Sequence, residues 1–321
     1  MKRMAFLVLM VVIFTVPAGL YAQEYGVYVK VIEKVEGGFE NAVKSTEETL
    51  RKNDWLVLAS YDSNTPEGCK LRAHNIVINS PKYSKQIMNH GPKSAFALPL
   101  RVGVYEDETG INIAFVNPVS INRTVLGDSA EKEFSVSMMN RLSDVIASAV
   151  KGNVVKKQIG ELRTKGKVGG MGGGDFNDMI EEVYKQQDSG SLLQETALKV
   201  KEGILQNSKG WKIIYSLEFG EQGVIIYGVS NPKVEARAYK IAGEKRETSS
   251  YRFPGIDHAA AFPIEVIVYK EAGMVKVVTL DEMYRMKLYF EDAGKWAFMK
   301  NMRMPGEIEE EIVEMSSAKL K

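Results

Sequence analysis

Cysteine and histidine are almost missing from this 321-residue chain, which has one Cys, Cys69, and three His, His74, His90 and His258. A lone cysteine closes no disulfide within the chain, and zinc or iron-sulfur sites that need several thiolates are excluded. Charge of one sign is lacking too. With 42 Lys+Arg against 41 Asp+Glu, there is no basic excess of the kind that binds nucleic acid, and no nucleic-acid partner is expected. No uninterrupted apolar run reaches the roughly 20 residues that span a bilayer. Catalytic signatures are absent as well: there is no Gly-x-Ser-x-Gly elbow and no His-Glu-x-x-His, and the carboxylates are scattered, as in Glu106-Asp107-Glu108. What remains, 45% apolar and 26% charged residues, is the balance of a folded chain with room for two domains.

The chain opens with an export signal. Lys2 and Arg3 precede an apolar stretch from Met4 to Val16, followed by Pro17, Gly19 and Leu20-Tyr21-Ala22. A positive start, a short apolar core and a small residue at the end read as a secretory signal peptide over residues 1–22, cut after Ala22. No cysteine lies near the cut, which excludes a lipoprotein. The mature chain is therefore expected to be soluble, periplasmic or secreted, with no membrane contact. Cys69 is expected to be buried there as a small hydrophobe.

Residues 25–33 alternate as a half-buried strand, with Val27, Val29 and Val31 on one side. Phe39, Ala42, Val43, Thr46 and Leu50 recur at helical spacing, with Glu40 at the start and Arg51 and Lys52 at the end, where the helix dipole favours them. Trp55 opens further apolar runs, and Ser80-Pro81-Lys82 starts a short helix. Two apolar runs around a polar loop ending at Gly110 predict a hairpin, and the stripe Phe134, Met138, Leu142, Ile146, Ala149 predicts a closing helix over 130–150.

The same order then returns. A helix through Leu193, Ala197, Val200 and Ile204 ends before Trp211, as the first ends before Trp55, and Asn231-Pro232-Lys233 stands for Ser80-Pro81-Lys82. Pro263 and Tyr269 follow Pro99 and Tyr105 at a constant offset of 164. Two tandem copies of one domain follow, over residues 23–152 and 189–321. They are joined by a Gly-rich linker, 153–188, with a short helix through Met179, Ile180 and Val183. No Lys-Ser/Thr follows its glycines, so they form no phosphate-binding loop. The second copy shows no leading strand, and a longer tail precedes its C-terminal helix through Ile308, Ile312 and Met315.

The Pro-x-x-Val-x-Val-Tyr stretch, Pro99 to Tyr105 and again Pro263 to Tyr269, set in this element order, resembles the bacterial family called domain of unknown function 302. That resemblance implies an α+β fold of two tandem two-layer domains, each a mixed sheet covered on one side by two helices. It also implies that the copies pack as an internal pseudo-dimer, because single domains of that family tend to pair. Family members often carry Cys before the Asn-Pro and after the hairpin Pro. Asn79-Ser80 and Leu100 stand there in one copy, and Ser230-Asn231 and Ile264 in the other, so any chemistry of those thiols is absent. The family has no established activity, and the resemblance supplies a fold rather than a function.

The retained hairpins point to a ligand groove between the copies, with His90, His258, Tyr105, Tyr269, Pro99 and Pro263 as candidate ligand-binding residues. Allowing a gap, His90 and His258 read as equivalents facing each other. The second candidate is thioether chemistry at Met299, Met302 and Met304, beside Trp296 and downstream of Met283 and Met286. Soft thioethers suit Cu(I), while core packing is the plainer reading of the same residues. No other cofactor is expected. The chain is thus expected to be an exported binding or interaction module for an unknown small molecule or protein partner, and not an enzyme. The alternatives are a Cu(I)-binding protein and an enzyme of unrecognised mechanism, which would need a convergent polar pocket.

Overall fold

A computed structural model describes residues 23–243 and 255–320, and the expected signal peptide lies outside them. In the first repeat the alternating apolar segments form β1 (Tyr25–Glu33), β2 (Leu56–Asp62), β3 (Ala73–Asn79), β4 (Leu100–Asp107), β5 (Gly110–Val116) and β6 (Asn153–Arg163). The amphipathic segments form α1 (Phe39–Lys52), α2 (Pro81–Met88), α3 (Pro118–Leu126) and α4 (Lys132–Ala149). The second repeat has β7 (Ile180–Gln187), β8 (Lys212–Phe219), β9 (Val224–Ser230), β10 (Ile264–Glu271) and β11 (Met274–Leu280). Its helices are α5 (Leu192–Leu205), α6 (Pro232–Gly243), α7 (Glu282–Phe290), α8 (Lys295–Lys300) and α9 (Arg303–Ser317).

The sheet orders are β2-β3-β4-β5-β1-β6 and β7-β11-β10-β9-β8. Read by counterparts, the second is the first five strands of the first, and β6 alone among the described strands has no partner in the comparison. The fold is α+β in two tandem two-layer units, as the sequence predicts. Every strand pairing is antiparallel rather than mixed, because each connection, tight turn or helical excursion, brings the chain back against its neighbour. Helices α1 and α4 cover one face of the first sheet, and α5 and α9 lie over the second. The central strands of each sheet also meet a 3-10 turn of the other repeat: Ile256–Ala261 lies on β3 and β4, and Pro92–Ala97 on β9 and β10.

The offset of 164 holds element by element from that turn through α3. The turns, β4 and β10, β5 and β11, and α3 and α7 all keep it. So do the helix caps, where Asn117 accepts from Val119 N at 3.0 Å and Asp281 from Tyr284 N at 2.7 Å.

Residues 153–188 are not the linker with a short helix that their composition suggests. Asn153–Arg163 is β6, paired along β1, and Ile180–Gln187 is β7, the leading strand of the second repeat, paired with β11. Sheet pairing overrides the helical spacing of Met179, Ile180 and Val183, and Glu181, Glu182 and Lys185 on this edge strand discourage pairing with other chains. The glycines form a tight turn, with Gly174 N donating to Val168 O at 2.9 Å and Gly173 N to Gly170 O at 3.0 Å. The closing helix of the first repeat is preceded by α3, marked by Asn117-Pro118 at its start. Cys69 is half-buried in the β2–β3 loop rather than in the core, its thiol donating to Leu71 O at 3.6 Å. Among the described residues no helix is long and apolar enough to cross a membrane.

Candidate functional site

Strand alternation turns Arg101, Gly103 and Tyr105 on β4, and Glu265, Ile267 and Tyr269 on β10, away from the side chains of Leu100, Val102, Ile264 and Val266. Arg101 is 3% exposed and donates to the carboxylate of Glu265, which is 7% exposed, and to the hydroxyl of Tyr289. Gly103 lets the second repeat's turn come in, since a Cβ there would stand 3.4 Å from Ala260 N. Asn75 Nδ2 holds that turn by donating to Ala259 O at 2.8 Å. Tyr28 OH donates to Tyr289 O at 3.0 Å, and Arg163 of β6 reaches Leu288 O at 3.3 Å and Glu291 at 2.8 Å. Carbonyls at the end of α7, which lack helical partners, are thereby met by donors of the first repeat.

The seam between the repeats holds charge at unusual depth. Burial alone would lower the pKa of the His258 ring, but Asp257 at 2.9 Å and Asp292 at 2.8 Å outweigh it and raise it to about 10. The ring also stacks on Phe290 and meets the edge of Tyr28. Burial pushes Glu282 up to about 7, opposed by Arg285 at 3.6 Å. It raises Glu265 as well, against the pull of Arg101 and Arg285. Glu235 is raised by burial even though it accepts from Ser230 and from the backbone and side chain of Asn64, both at 2.8 Å.

A separate groove of about 400 Å³ lies where the glycine turn meets α7 and α8. Met171, Met283, Met299, Met302 and Phe298 line it, with Lys287, Glu291 and Lys295. Lys287 Nζ donates to Met171 O at 3.2 Å and to Gly169 O, tying the turn to α7. Gly172, at φ +74°, has no room for a side chain, since its Cβ would meet Met283 Cγ at 2.6 Å. Met171, Met299 and Met302 are 78%, 52% and 49% exposed.

Residues 31–149 match the family described as domain of unknown function DUF302. The first repeat is a DUF302 domain. A crystal structure of an uncharacterized conserved DUF302 protein from Bacillus stearothermophilus is 17% identical over 38% of this chain and 98% of its own, with a TM-score of 0.34. No curated protein matches the chain. The DUF302 match ends with α4, before β6, and the second repeat is tied to the first by strand order and by the constant offset.

In the DUF302 domain Pro99 and Tyr105 are buried, as are Pro263 and Tyr269 in the second repeat. The expected groove between the copies is filled by the two 3-10 turns, so these four residues offer a ligand no surface. His90 and His258 are not equivalents. His90 is on the surface with Nε2 2.8 Å from Glu131, and the offset of 164 matches the buried His258 with Ser94. Of the methionines, Met304 is in the core at 1% exposure. Met299 and Met302 are not core residues, because both stand exposed along the groove. Among the described residues no cluster of His, Cys, Asp or Glu could hold a metal ion. The seam charges Arg101, Glu265, Glu282 and Arg285 escaped the sequence reading, although a charge in the same place of two apolar strands, Leu-Arg-Val and Ile-Glu-Val, was a usable signal. Met171 was masked by its glycine neighbours.

Proposed function

We propose that the chain is an exported binding module, not an enzyme, and that the thioether groove takes an apolar molecule with an acidic head. The observation that carries this reading is the set of solvent-facing thioethers: Met171, Met299 and Met302 stand out in water around a groove of small-molecule size. Unbranched methionines adapt to irregular apolar ligands at little cost. Lys295, on the groove wall without an ion-pair partner among the described residues, favours an anionic head over a cation. Glu235, Glu265, Tyr28 and Tyr289, perturbed by burial, lie in the seam instead, where they bond across the two repeats.

Titration with a fluorescent long-chain fatty acid tests the reading, with Trp296, 75% exposed on α8, as a second reporter. Saturable binding that weakens at least tenfold in M299E/M302E, about 1.4 kcal/mol, supports it. Binding indifferent to those substitutions rejects it. The four thioethers also favour a second reading, Cu(I) coordination, now through Met171, Met283, Met299 and Met302 without Met304. M299L/M302L separates the two, because leucine keeps the apolar wall and removes the sulfur. Fatty-acid binding that survives this change excludes the metal as the groove's main ligand, and Cu(I) binding lost with it favours the metal.

A further inference from the structure

Arg101 and Glu265 are counterparts at the 164 offset, and they touch each other. A residue that meets its own counterpart sits on the two-fold relation between the repeats. Were the repeats identical, this place would hold two buried guanidiniums or two buried carboxylates, with no neutralising partner between them. We propose that Arg101 and Glu265 form a recognition pair that makes the seam accept only an unlike repeat. The chain closes its first repeat on its second, and pairing of two chains through like repeats is rejected by charge.

The surroundings favour this assignment over a chance ion pair. The second repeat alone carries the receptor for the guanidinium: Tyr289 accepts from Arg101, Pro263 O lies 3.4 Å from it, and Arg285 and Glu282 stand beside Glu265. The counterparts of Tyr289, Arg285 and Glu282 in the first repeat are Val125, Ile121 and Pro118. At this place the first repeat thus supplies one cation and the second a built polar pocket, on a backbone the two share. A pair of unlike buried charges is a device for specificity more readily than for stability, since apolar residues would hold the seam as well.

The test uses full-length chains carrying R101E, E265R, or both. E265R gathers Arg101, Arg285 and the new arginine, and is expected to lower the melting temperature by roughly 10 °C. R101E sets two carboxylates beside Arg285 and is expected to lose less. The double variant R101E/E265R restores the original set of charges and recovers more than half of the E265R loss. The decisive arm co-refolds the R101E chain with the E265R chain. Exchange of repeats lets each carboxylate meet an arginine of the other chain at both seams, and native mass spectrometry is expected to show a heterodimer of one chain of each. A double variant no more stable than E265R, or a mixture without the heterodimer, overturns the recognition role and leaves a seam held by apolar packing. Should a single variant fail to fold alone, recovery of the heterodimer on co-expression decides.

Discussion

The two repeats share a strand order and keep the same spacing from the 3-10 turn through the following helix, yet the faces they turn to each other differ in kind. Where the first presents Ser94, Pro118, Ile121 and Val125, the second presents His258, Glu282, Arg285 and Tyr289. The lesson is that backbone geometry and side-chain chemistry diverge independently: the same backbone positions carry either set. A second difference lies beyond the shared spacing. The first repeat goes from α3 to α4 through a short connection, while the second inserts α8 between α7 and α9, and that insertion builds one wall of the groove. The seam holds the repeats together, and the departure from the repeat creates the candidate site.

Position 258 against position 94 breaks this comparison hardest. The His258 pKa of about 10 lies above its ordinary 6.5, so the folded state binds a proton that the unfolded state releases. The stabilisation is complete below pH 6.5 and is lost as pH rises toward 10. His258→Gln is expected to cost about 4 kcal/mol at pH 7, and to flatten the decline in stability between pH 7 and 10, measured by denaturant unfolding. Ser94, which donates to Gly91 O at 2.6 Å, is worth about 1 kcal/mol on replacement by alanine, with no pH dependence. Equal costs at the two positions would show that the charge cluster around His258 contributes nothing.

Glu282, the counterpart of Pro118, carries a charge that destabilises the fold where that of His258 stabilises it. Its pKa is raised from 4.5 to about 7, so the unfolded state loses its proton first and stability falls as pH rises from 4.5 to 7, then stays level. Glu282→Gln is expected to stabilise the chain by about 3 kcal/mol at pH 8 and to change nothing at pH 4. Melting temperatures at the two pH values check the sign.

Much of this architecture was legible because it rests on local signals. Periodicity marked α1, α5 and the hairpins, and the 164 offset revealed the repeat. The misses have physical causes. Strands β6 and β7 depend on pairing partners distant in sequence, and a glycine-rich neighbourhood looks the same whether it forms a tight turn or a flexible link. The hairpin motif read as a ligand surface is an interface, since apolar and aromatic residues in strands report burial without saying against what. Gly103 illustrates this. Its counterpart is Ile267, fully buried, and nothing in the sequence says that one face must admit a turn and the other a side chain. Gly103→Ile is expected to force the turn Ile256–Ala261 outward and cost about 2 kcal/mol, whereas Gly103→Ala, whose Cβ would stand 3.4 Å from Ala260 N, is nearly neutral. A crystal structure of the alanine variant with the turn unmoved would confirm that the contact there is close but not strained.

The smallest expected effect separates the caps of the two equivalent helices. Asp281 accepts from Tyr284 N and caps α7 from a half-buried position, so Asp281→Ala should cost about 1 kcal/mol. Asn117 does this for α3 and more: buried completely, it donates to Gly26 O at 2.9 Å and to Gln158 at 3.1 Å, and Gln158 in turn accepts from Gly26 N at 2.7 Å. The asparagine thereby joins the cap to β1 and to β6, the strand without a counterpart among the described strands of the second repeat. Asn117→Ala leaves the carbonyl of Gly26 and the amide N–H of Val119 without these partners, and should cost about 2 kcal/mol. Gln158→Ala keeps the cap and the bond to Gly26 O and removes only the acceptor on β6, so its cost isolates what β6 adds. If it matches the wild type, β6 is attached through β1 alone; a loss near half that of Asn117→Ala ties the extra strand to the cap.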